Sequence, residues 1–199
     1  MKTVVTRVKQ ASVTIDNKLI SKINNGLLVL VGFTENDDES KIDYMVKKIT
    51  NLRIFNDENN IMNKSVKDVN GEILSVSQFT LYGDASNGNR PSYIKALKGE
   101  EAIKLYDLFN KKLNETIKTK TGVFGADMKV ESINDGPVTI IIEKWSTWKK
   151  VLFLILFKYN RRQNNEKTKR IYTNWTISNY SNTSNNSCNN STNNIRNNR

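Results

Sequence analysis

The sequence predicts an α+β fold, in which mixed or antiparallel β-sheets are combined with two main helices in a single domain. Strand-like segments make up most of residues 1–144, and two stretches with helical spacing separate them into groups. This order is typical of α+β domains and differs from the regular alternation of a doubly wound sheet. An abrupt change of composition near residue 144 also predicts a largely disordered C-terminal tail.

The first strands are predicted from apolar alternation and from one continuous apolar run. Residues 4–9 and 11–15 are each typical of a short strand, and turn residues follow at 16–18. A second turn at 24–26 leads into residues 27–33, whose uninterrupted apolar side chains indicate a strand buried on both faces.

Two helices are predicted from caps and apolar faces. Residues 36–38, Asn-Asp-Asp, can cap a helix and stabilise its positive N-terminal dipole. The apolar face that follows consists of Ile42, Met45, Val46, Ile49 and Leu52. A second helix is expected to begin near Gly99. Its apolar face consists of Ala102, Leu105, Phe109, Leu113 and Ile117.

The remaining strands are predicted between and after these helices. Residues 53–55 form a short candidate strand, and residues 72–82 a long one. The closing strands are expected at 123–133 and 138–142, linked by a β-turn because Asn-Asp-Gly-Pro at 134–137 is strong turn chemistry.

The chain divides into a domain of residues 1–144 and a basic tail of residues 145–199. The domain holds 21 Lys+Arg and 19 Asp+Glu, whereas the tail holds 10 and 1, so the tail carries +9 of the total +11. Rich in Asn, Ser and Thr, the tail cannot bury enough apolar surface to offset chain entropy. A frameshift or read-through near Lys144 would explain this change.

One apolar run, residues 151–157, interrupts the tail. It is shorter than the ~20 residues that a membrane helix needs. An element packed on the domain, an interfacial anchor and translated sequence never selected to fold remain as interpretations, and the abrupt composition favours the last. No membrane partner is expected.

Composition excludes several classes of chemistry. The chain has no histidine and a single cysteine, Cys188. Ser-His-Asp and Cys-His nucleophiles therefore cannot be built, and we expect no metal or other cofactor. Residues 1–7 lack the apolar core of a signal peptide, which predicts a cytoplasmic protein. The charge of +11 suggests an acidic partner such as nucleic acid.

Four segments are candidates for a site, each with a structural alternative. The hydroxyl and backbone N–H groups of residues 77–84 can donate hydrogen bonds to a carbonyl oxygen of a ligand. The alternative is a strand that ends in a turn. Gly136-Pro137 can form a rigid corner whose carbonyls accept hydrogen bonds from an ammonium group, or a plain turn. The small residues at 122–128 leave space for a flat base, or form a bulge. Arg90 can contact a phosphate, or stay free in an exposed loop.

Taken together, these segments resemble the D-aminoacyl-tRNA deacylase family, also called D-tyrosyl-tRNA deacylase. The resemblance runs from Met1 to about Lys144. Its motifs, in chain order, are residues 4–8 with 11–13, 26–32, 48–55, 77–84, 90–92, 124–126 with Met128, and 134–139. Each motif alone is weak, whereas their order and spacing over a whole domain are specific.

The resemblance implies a barrel-like core and a homodimer with active sites at the subunit interface. It implies hydrolysis of the ester bond of D-aminoacyl-tRNA, and removal of glycine mischarged on tRNA-Ala, without a cofactor. Arg7 would hold a cis Gly136-Pro137 peptide that enters the partner's pocket and excludes L-amino acids. The residues implied to act on the scissile ester are Ser77, Gln78, Phe79 and Thr80. The other substrate-binding residues are Phe124, Ala126 and Met128.

The missing histidine fits such a family, because positioning, backbone donors and a ribose hydroxyl can replace a side-chain base. Thr80 is then a nucleophile or a hydrogen-bonding group, and the second is favoured. A noncatalytic RNA-binding protein that uses the basic tail is the alternative from another class. A related deacylase that edits L-alanine is a third possibility, which Arg7 and the intact stretch 134–137 disfavour.

Overall fold

A six-stranded mixed sheet, a separate two-stranded antiparallel hairpin (Phe55–Asn56 and Met62–Lys64) and two helices make up the part of the chain that the computed structural model describes, residues 1–144. The predictions for the tail lie outside the described residues. The strands are β1 Lys2–Ile15, β2 Lys18–Ile23, β3 Gly26–Gly32, β4 Phe55–Asn56, β5 Met62–Lys64, β6 Glu72–Ser77, β7 Thr119–Thr121 and β8 Lys129–Glu143. The helices are α1 Glu39–Thr50 and α2 Gly99–Asn114, and a 3₁₀ helix spans Phe79–Tyr82.

β1 is the strand on which the sheet is assembled. It pairs antiparallel with β2, β3 and β8, while β3 pairs parallel with β6 and β6 parallel with β7. Two bonds then connect β2 with β7: the Ser21 hydroxyl donates to the Thr121 carbonyl, and the Lys120 ammonium to the Lys22 carbonyl. The sheet is therefore nearly closed as a barrel, and the predicted α+β fold is confirmed.

The predicted turns and caps follow from local chemistry. Asp16 and Asn17 have φ of 48° and 60°, the left-handed conformation of a two-residue hairpin turn, which these residue types tolerate. Asp38 is the N-cap of α1, and its carboxylate accepts from the Lys41 backbone N–H at 3.0 Å. Hydrogen bonds from the Ser40 hydroxyl and the Lys41 N–H lower the pKa of Asp38.

Six of the predicted strands were wrong in their bounds. Residues 4–9 and 11–15 lie in one strand, β1, because β8 pairs with it from Lys2 to Thr14. Residues 123–128 form a loop, and the rest of the two predicted closing strands is continuous in β8. The predicted strand 72–82 ends at Ser77 and continues as the 3₁₀ helix, and residues 53–55 contribute only Phe55 to β4.

The helices cover one face of the sheet and bury the larger apolar cluster. Their buried members include Ile42, Met45 and Ile49 on α1 and Phe109 and Leu113 on α2, as their spacing predicts. A second cluster, on the opposite face, consists of Val8, Ala11, Val13, Ile23, Leu28, Leu74 and Val76. Within residues 1–144, no helix is long and apolar enough to cross a membrane.

Phe109 is fully buried between α2 and the sheet, whereas Ile103 on the same helix is 39% exposed. We expect Phe109→Ala to lower the free energy of unfolding by about 3–5 kcal/mol, because it removes apolar contacts and leaves a cavity. Ile103→Ala is the control, with a change of about 1 kcal/mol or less. Denaturant titration followed by far-UV circular dichroism measures both, and equal effects would contradict this packing.

Candidate active site

A cavity of about 490 Å³ lies where β3 and β6 end. Its walls come from these strand ends, the 3₁₀ helix, the start of α2 and the loop 122–128. Residues far apart in sequence meet here because the parallel strands β3 and β6 end at the same edge of the sheet. The predicted site residues that line it are Ser77, Gln78, Phe79, Phe124, Ala126 and Met128.

The bend after Ser77 places the first three of these residues at the cavity. The Gln78 N–H donates to the Val31 carbonyl at 2.7 Å, directly after the last residue of β6 that pairs with β3. Gly32 stands against this bend, because a Cβ on Gly32 would lie 2.8 Å from the Gln78 carbonyl oxygen. The close approach of the two backbones therefore requires glycine at position 32.

Phe79 and Thr80 both face away from the protein interior. The Phe79 ring is 58% exposed and meets the Tyr93 ring edge-on, with centroids 5.2 Å apart. The Thr80 hydroxyl is exposed, is not part of the cavity lining and accepts from the Gln78 side-chain amide. An amide cannot remove a proton from the hydroxyl, so this contact favours a hydrogen-bonding role for Thr80 over a nucleophilic one.

The loop 122–128 forms the opposite wall of the cavity. Gly125 has φ of 75°, a left-handed conformation that favours glycine. Gly122 provides room for Met128, because a Cβ on Gly122 would lie 2.5 Å from the Met128 sulfur. The small residues thus let Phe124 and Met128 line one side of an open space.

Tyr106 supports this loop and was missed by sequence reasoning. Its hydroxyl donates to the Ser75 carbonyl at 2.9 Å, and its ring lies 5.7 Å from that of Phe124. Burial raises the pKa of the Tyr106 hydroxyl, which therefore stays protonated as a donor. The available signal was its spacing from Ala102 and Phe109, which places it on the buried face of α2.

Gly136 and Pro137 lie in a bulge of β8, so the predicted turn between two strands was wrong. Thr139 pairs with Thr6 and Asn134 with Val8, so the four residues 135–138 stand opposite Arg7 alone. The Gly136–Pro137 peptide is cis, and Gly136 has φ of 118°. β8 bends outward at this point and resumes its pairing with β1 beyond it.

The Arg7 guanidinium fills the space behind the bulge. Its Nε contacts Asp135 twice, at 3.2 Å from the carbonyl oxygen and 3.1 Å from Oδ2. Its Nη1 donates to the Ile54 carbonyl at 2.6 Å and to Asn56 Oδ1 at 3.3 Å. Arg7 is 7% exposed, and these acceptors compensate for burying its charge.

The predicted residues therefore fall into two main groups within one chain, and Thr80 lies beside the first of them without lining the cavity. Six of them line the cavity, whereas Arg7, Gly136 and Pro137 build the bulge and do not line it. Arg90 lies apart from both groups, in the exposed segment between Asp84 and Ser92. The backbone N–H groups of Asp84 and Ser92 each donate to the other residue's carbonyl and close this segment into a loop. Near it, Lys95 and Ser86 hold the pKa of the Asp84 carboxyl well below its usual range.

Comparison with known proteins places this architecture in a family. The family model described as D-Tyr-tRNA(Tyr) deacylase matches residues 4–143, which include the cavity and the bulge. The chain belongs to the D-Tyr-tRNA(Tyr) deacylase family. The predicted family and the expected hydrolase of this kind are thereby confirmed.

One similar protein and two solved structures each cover about seven-tenths of this chain. A D-aminoacyl-tRNA deacylase from Flavobacterium psychrophilum is 59% identical over 145 residues, which cover 72% of this chain and 97% of that protein. The structure of a c-Myc DNA unwinding element binding protein has 44% identity and a TM-score of 0.70, over 73% of this chain and all of that one. A probable eukaryotic D-amino acid tRNA deacylase, at 16% identity, shares the fold with a TM-score of 0.60 over 71% and 97% of the two chains.

Gly32 and Gly99 both line the cavity but differ in the space around them. We expect Gly32→Ala to lower kcat/KM for deacylation at least roughly tenfold, because the new methyl group displaces the backbone at Gln78 and an ångström of misplacement is costly in catalysis. Gly99→Ala is the matched control, because nothing lies within 4 Å of its Cβ position. Steady-state kinetics on both variants test this, and a fully active Gly32→Ala enzyme would contradict the assigned site.

Proposed function

We propose that this chain hydrolyses the ester bond of D-aminoacyl-tRNA and releases the free D-amino acid and tRNA. It would thereby remove D-amino acids that were mischarged on tRNA during translation. The observation that carries the proposal is the cavity, which combines polar groups at Ser77 and Gln78 with an apolar wall at Phe124 and Met128. Its volume of about 490 Å³ is that of a typical small-ligand site.

The two walls suit the two parts of a terminal aminoacyl-adenosine. A flat base fits beside Phe124 and Met128, where Gly125 and Ala126 leave space. The ester then lies near the residues from Ser77 to Thr80, whose hydroxyl, amide and backbone N–H groups are hydrogen-bond donors. Such donors stabilise the negative charge that develops on the carbonyl oxygen during hydrolysis.

The reaction needs no side-chain base in this arrangement. Water adds to the ester carbonyl carbon, and the bond from this carbon to the ribose oxygen breaks. One proton of the water goes to the ribose oxygen, which becomes a hydroxyl again, the other proton goes to the solvent, and the amino acid leaves as a carboxylate. The neighbouring ribose hydroxyl of the tRNA assists by hydrogen bonding, while the pocket supplies orientation and charge stabilisation.

The bulge is proposed to act in a second copy of the chain. Gly136 and Pro137 are exposed and do not line the cavity of their own chain. β8 also exposes Ile133 and Ile141, at 59% and 68%, which suits a surface covered by a partner. In a homodimer, the bulge of one subunit would enter the cavity of the other and complete the active site at the interface.

Chirality is then selected by exclusion. The carbonyls beside the cis peptide would accept hydrogen bonds from the substrate's α-ammonium group and leave no room for an L side chain. A backbone device does not contact the D side chain, so different D-amino acids are accepted. Glycine has no side chain to exclude, and glycine mischarged on tRNA-Ala is accordingly a proposed substrate.

The catalytic domain is proposed to be residues 1–144 of a cytoplasmic protein, with residues 145–199 unnecessary for catalysis. The 59% identical relative is matched over 97% of its own length by 145 residues, a span close to that of the proposed domain. The tail's charge of +9 favours one other function, noncatalytic RNA binding.

Incubation of the full chain and of residues 1–144 with D- and L-tyrosyl-tRNA tests the activity. We expect both proteins to release D-tyrosine and to leave the L-ester intact, which is measured by the loss of labelled aminoacyl-tRNA. Equal hydrolysis of both esters would refute selection by the bulge. Salt-sensitive RNA binding that requires the tail, with no deacylation by either protein, would favour the noncatalytic function.

Gly136→Ala is expected to impair D-selective turnover. The new methyl group would lie 2.8 Å from Val138 Cγ2 and 3.0 Å from Arg7 Nη2, at a φ that L residues rarely adopt. A one-to-one mixture of Gly136→Ala and Gly32→Ala chains should recover roughly a quarter of all sites. About half of the dimers are then heterodimers, and in each of these one of the two sites combines an intact bulge with an intact cavity. Absence of recovery would show that the bulge does not act across subunits.

A further inference from the structure

The β4–β5 hairpin contacts the guanidinium that supports the Gly136-Pro137 bulge, although it lies outside the cavity. We propose that Asn56, on β4, is a positioning residue for chiral selection, acting through Arg7 on this bulge. The inference rests on the proposed function, and it extends the selectivity device to an element that contacts no substrate.

The contacts of Arg7 connect the two elements. On one side its Nε is shared between the carbonyl oxygen and the Oδ2 of Asp135, within the bulge. On the other side its Nη1 lies between the Ile54 carbonyl at 2.6 Å and Asn56 Oδ1 at 3.3 Å. The Phe55 ring, between those two residues, has its centroid 6.0 Å from the Arg7 guanidinium carbon. β4 therefore fixes the orientation of the guanidinium plane.

The hairpin that carries Asn56 is held in shape by its own turn. The Asp57 N–H donates to the Ile61 carbonyl at 2.8 Å, and the Asp57 carboxylate accepts from the N–H groups of Asn59 and Ile61. These bonds, with that from Ile61 first, lower the pKa of Asp57, because they stabilise the charged carboxylate. Asn56 is thus presented to Arg7 from a fixed backbone.

A small rotation of the guanidinium would move the bulge. Arg7 Nη2 lies only 3.0 Å from the position that a Cβ on Gly136 would occupy, so the guanidinium is packed directly behind the cis peptide. Lys9 competes for the same support, since its ammonium lies 3.4 Å from Asp135 Oδ2. When Asn56 Oδ1 is removed, Nη1 keeps the Ile54 carbonyl but loses the side-chain acceptor that fixes its angle, and Asp135 can turn toward Lys9.

The test is a charge series at position 56, read as the ratio of D- to L-tyrosyl-tRNA hydrolysis. Asn56→Ala should lower this ratio roughly five- to tenfold, the effect of one weakened hydrogen bond to a charged group. Asn56→Lys should lower it further, because it places a like charge beside Arg7. Asn56→Asp keeps an acceptor and should retain the wild-type ratio. Since both substrates carry the same tRNA, changes in RNA affinity cancel in the ratio.

Asn59 supplies the matched controls, because it lies in the same hairpin and its side chain makes no hydrogen bond within residues 1–144. Asn59→Ala and Asn59→Lys should leave the D-to-L ratio unchanged. A second measurement compares Asn56→Ala in wild-type and Arg7→Ala backgrounds, and its effect should disappear in the latter because Asn56 acts through Arg7.

The outcomes distinguish the proposed D-selective deacylase function from the positioning role of Asn56. If the wild-type chain itself does not discriminate between D and L esters, the proposed function fails regardless of Asn56. If the wild-type chain discriminates and Asn56→Ala and Asn56→Lys do so equally well, the positioning role alone is refuted. If the Asn59 variants lower the D-to-L ratio as much as the Asn56 variants do, the positioning role of Asn56 is also refuted, because the effect would then belong to the hairpin as a whole.

Discussion

The architecture of the site depends on the hydrogen bonds made by the buried guanidinium of Arg7. β1 and β8 pair along almost their whole length, yet opposite Arg7 four residues of β8 stand against one of β1. Such a bulge leaves a space behind it and backbone carbonyls without donors. Arg7 fills this space and donates to the carbonyls of Asp135 and Ile54. Arg7 has enough donors to bond to Asp135, Ile54 and Asn56 together, so one side chain links β1, β4 and β8.

The cavity depends on a different constraint, the close approach of backbones at the ends of β3 and β6. Gly32 permits the chain to turn after Ser77, and Gly122 permits Met128 to fold against the opposite wall. Tyr106 then fastens that wall to β6 through Ser75. The cavity is therefore shaped by small residues and by one buried hydroxyl, while the residues proposed to contact the ester are half-buried (Ser77 and Gln78) or exposed (Phe79 and Thr80) at its edge.

Sequence patterns predicted most of the elements, and their failures share a cause. Both helices were found because their apolar faces pack against the sheet, and the hairpin turn at Asp16 and Asn17 follows from local backbone preference. The single strand β1 and the bulge within β8 were missed, because each is decided by pairing between residues more than 100 positions apart. Turn chemistry at 134–137 was recognised correctly as a departure from regular strand, but its local signal does not distinguish a reversal from a bulge.

By itself, the sequence determined the family, the α+β class and the absence of histidine chemistry, because ordered motifs and composition are properties of the chain alone. The tertiary structure decided which of the candidate site residues lie close to one another. It brought Ser77 and Gln78 together with Phe124 and Met128, separated them from Gly136 and Pro137, and placed Asn56 on Arg7. The physical reason is that strand pairing and barrel closure set distances between segments, and no local pattern of residues encodes those distances.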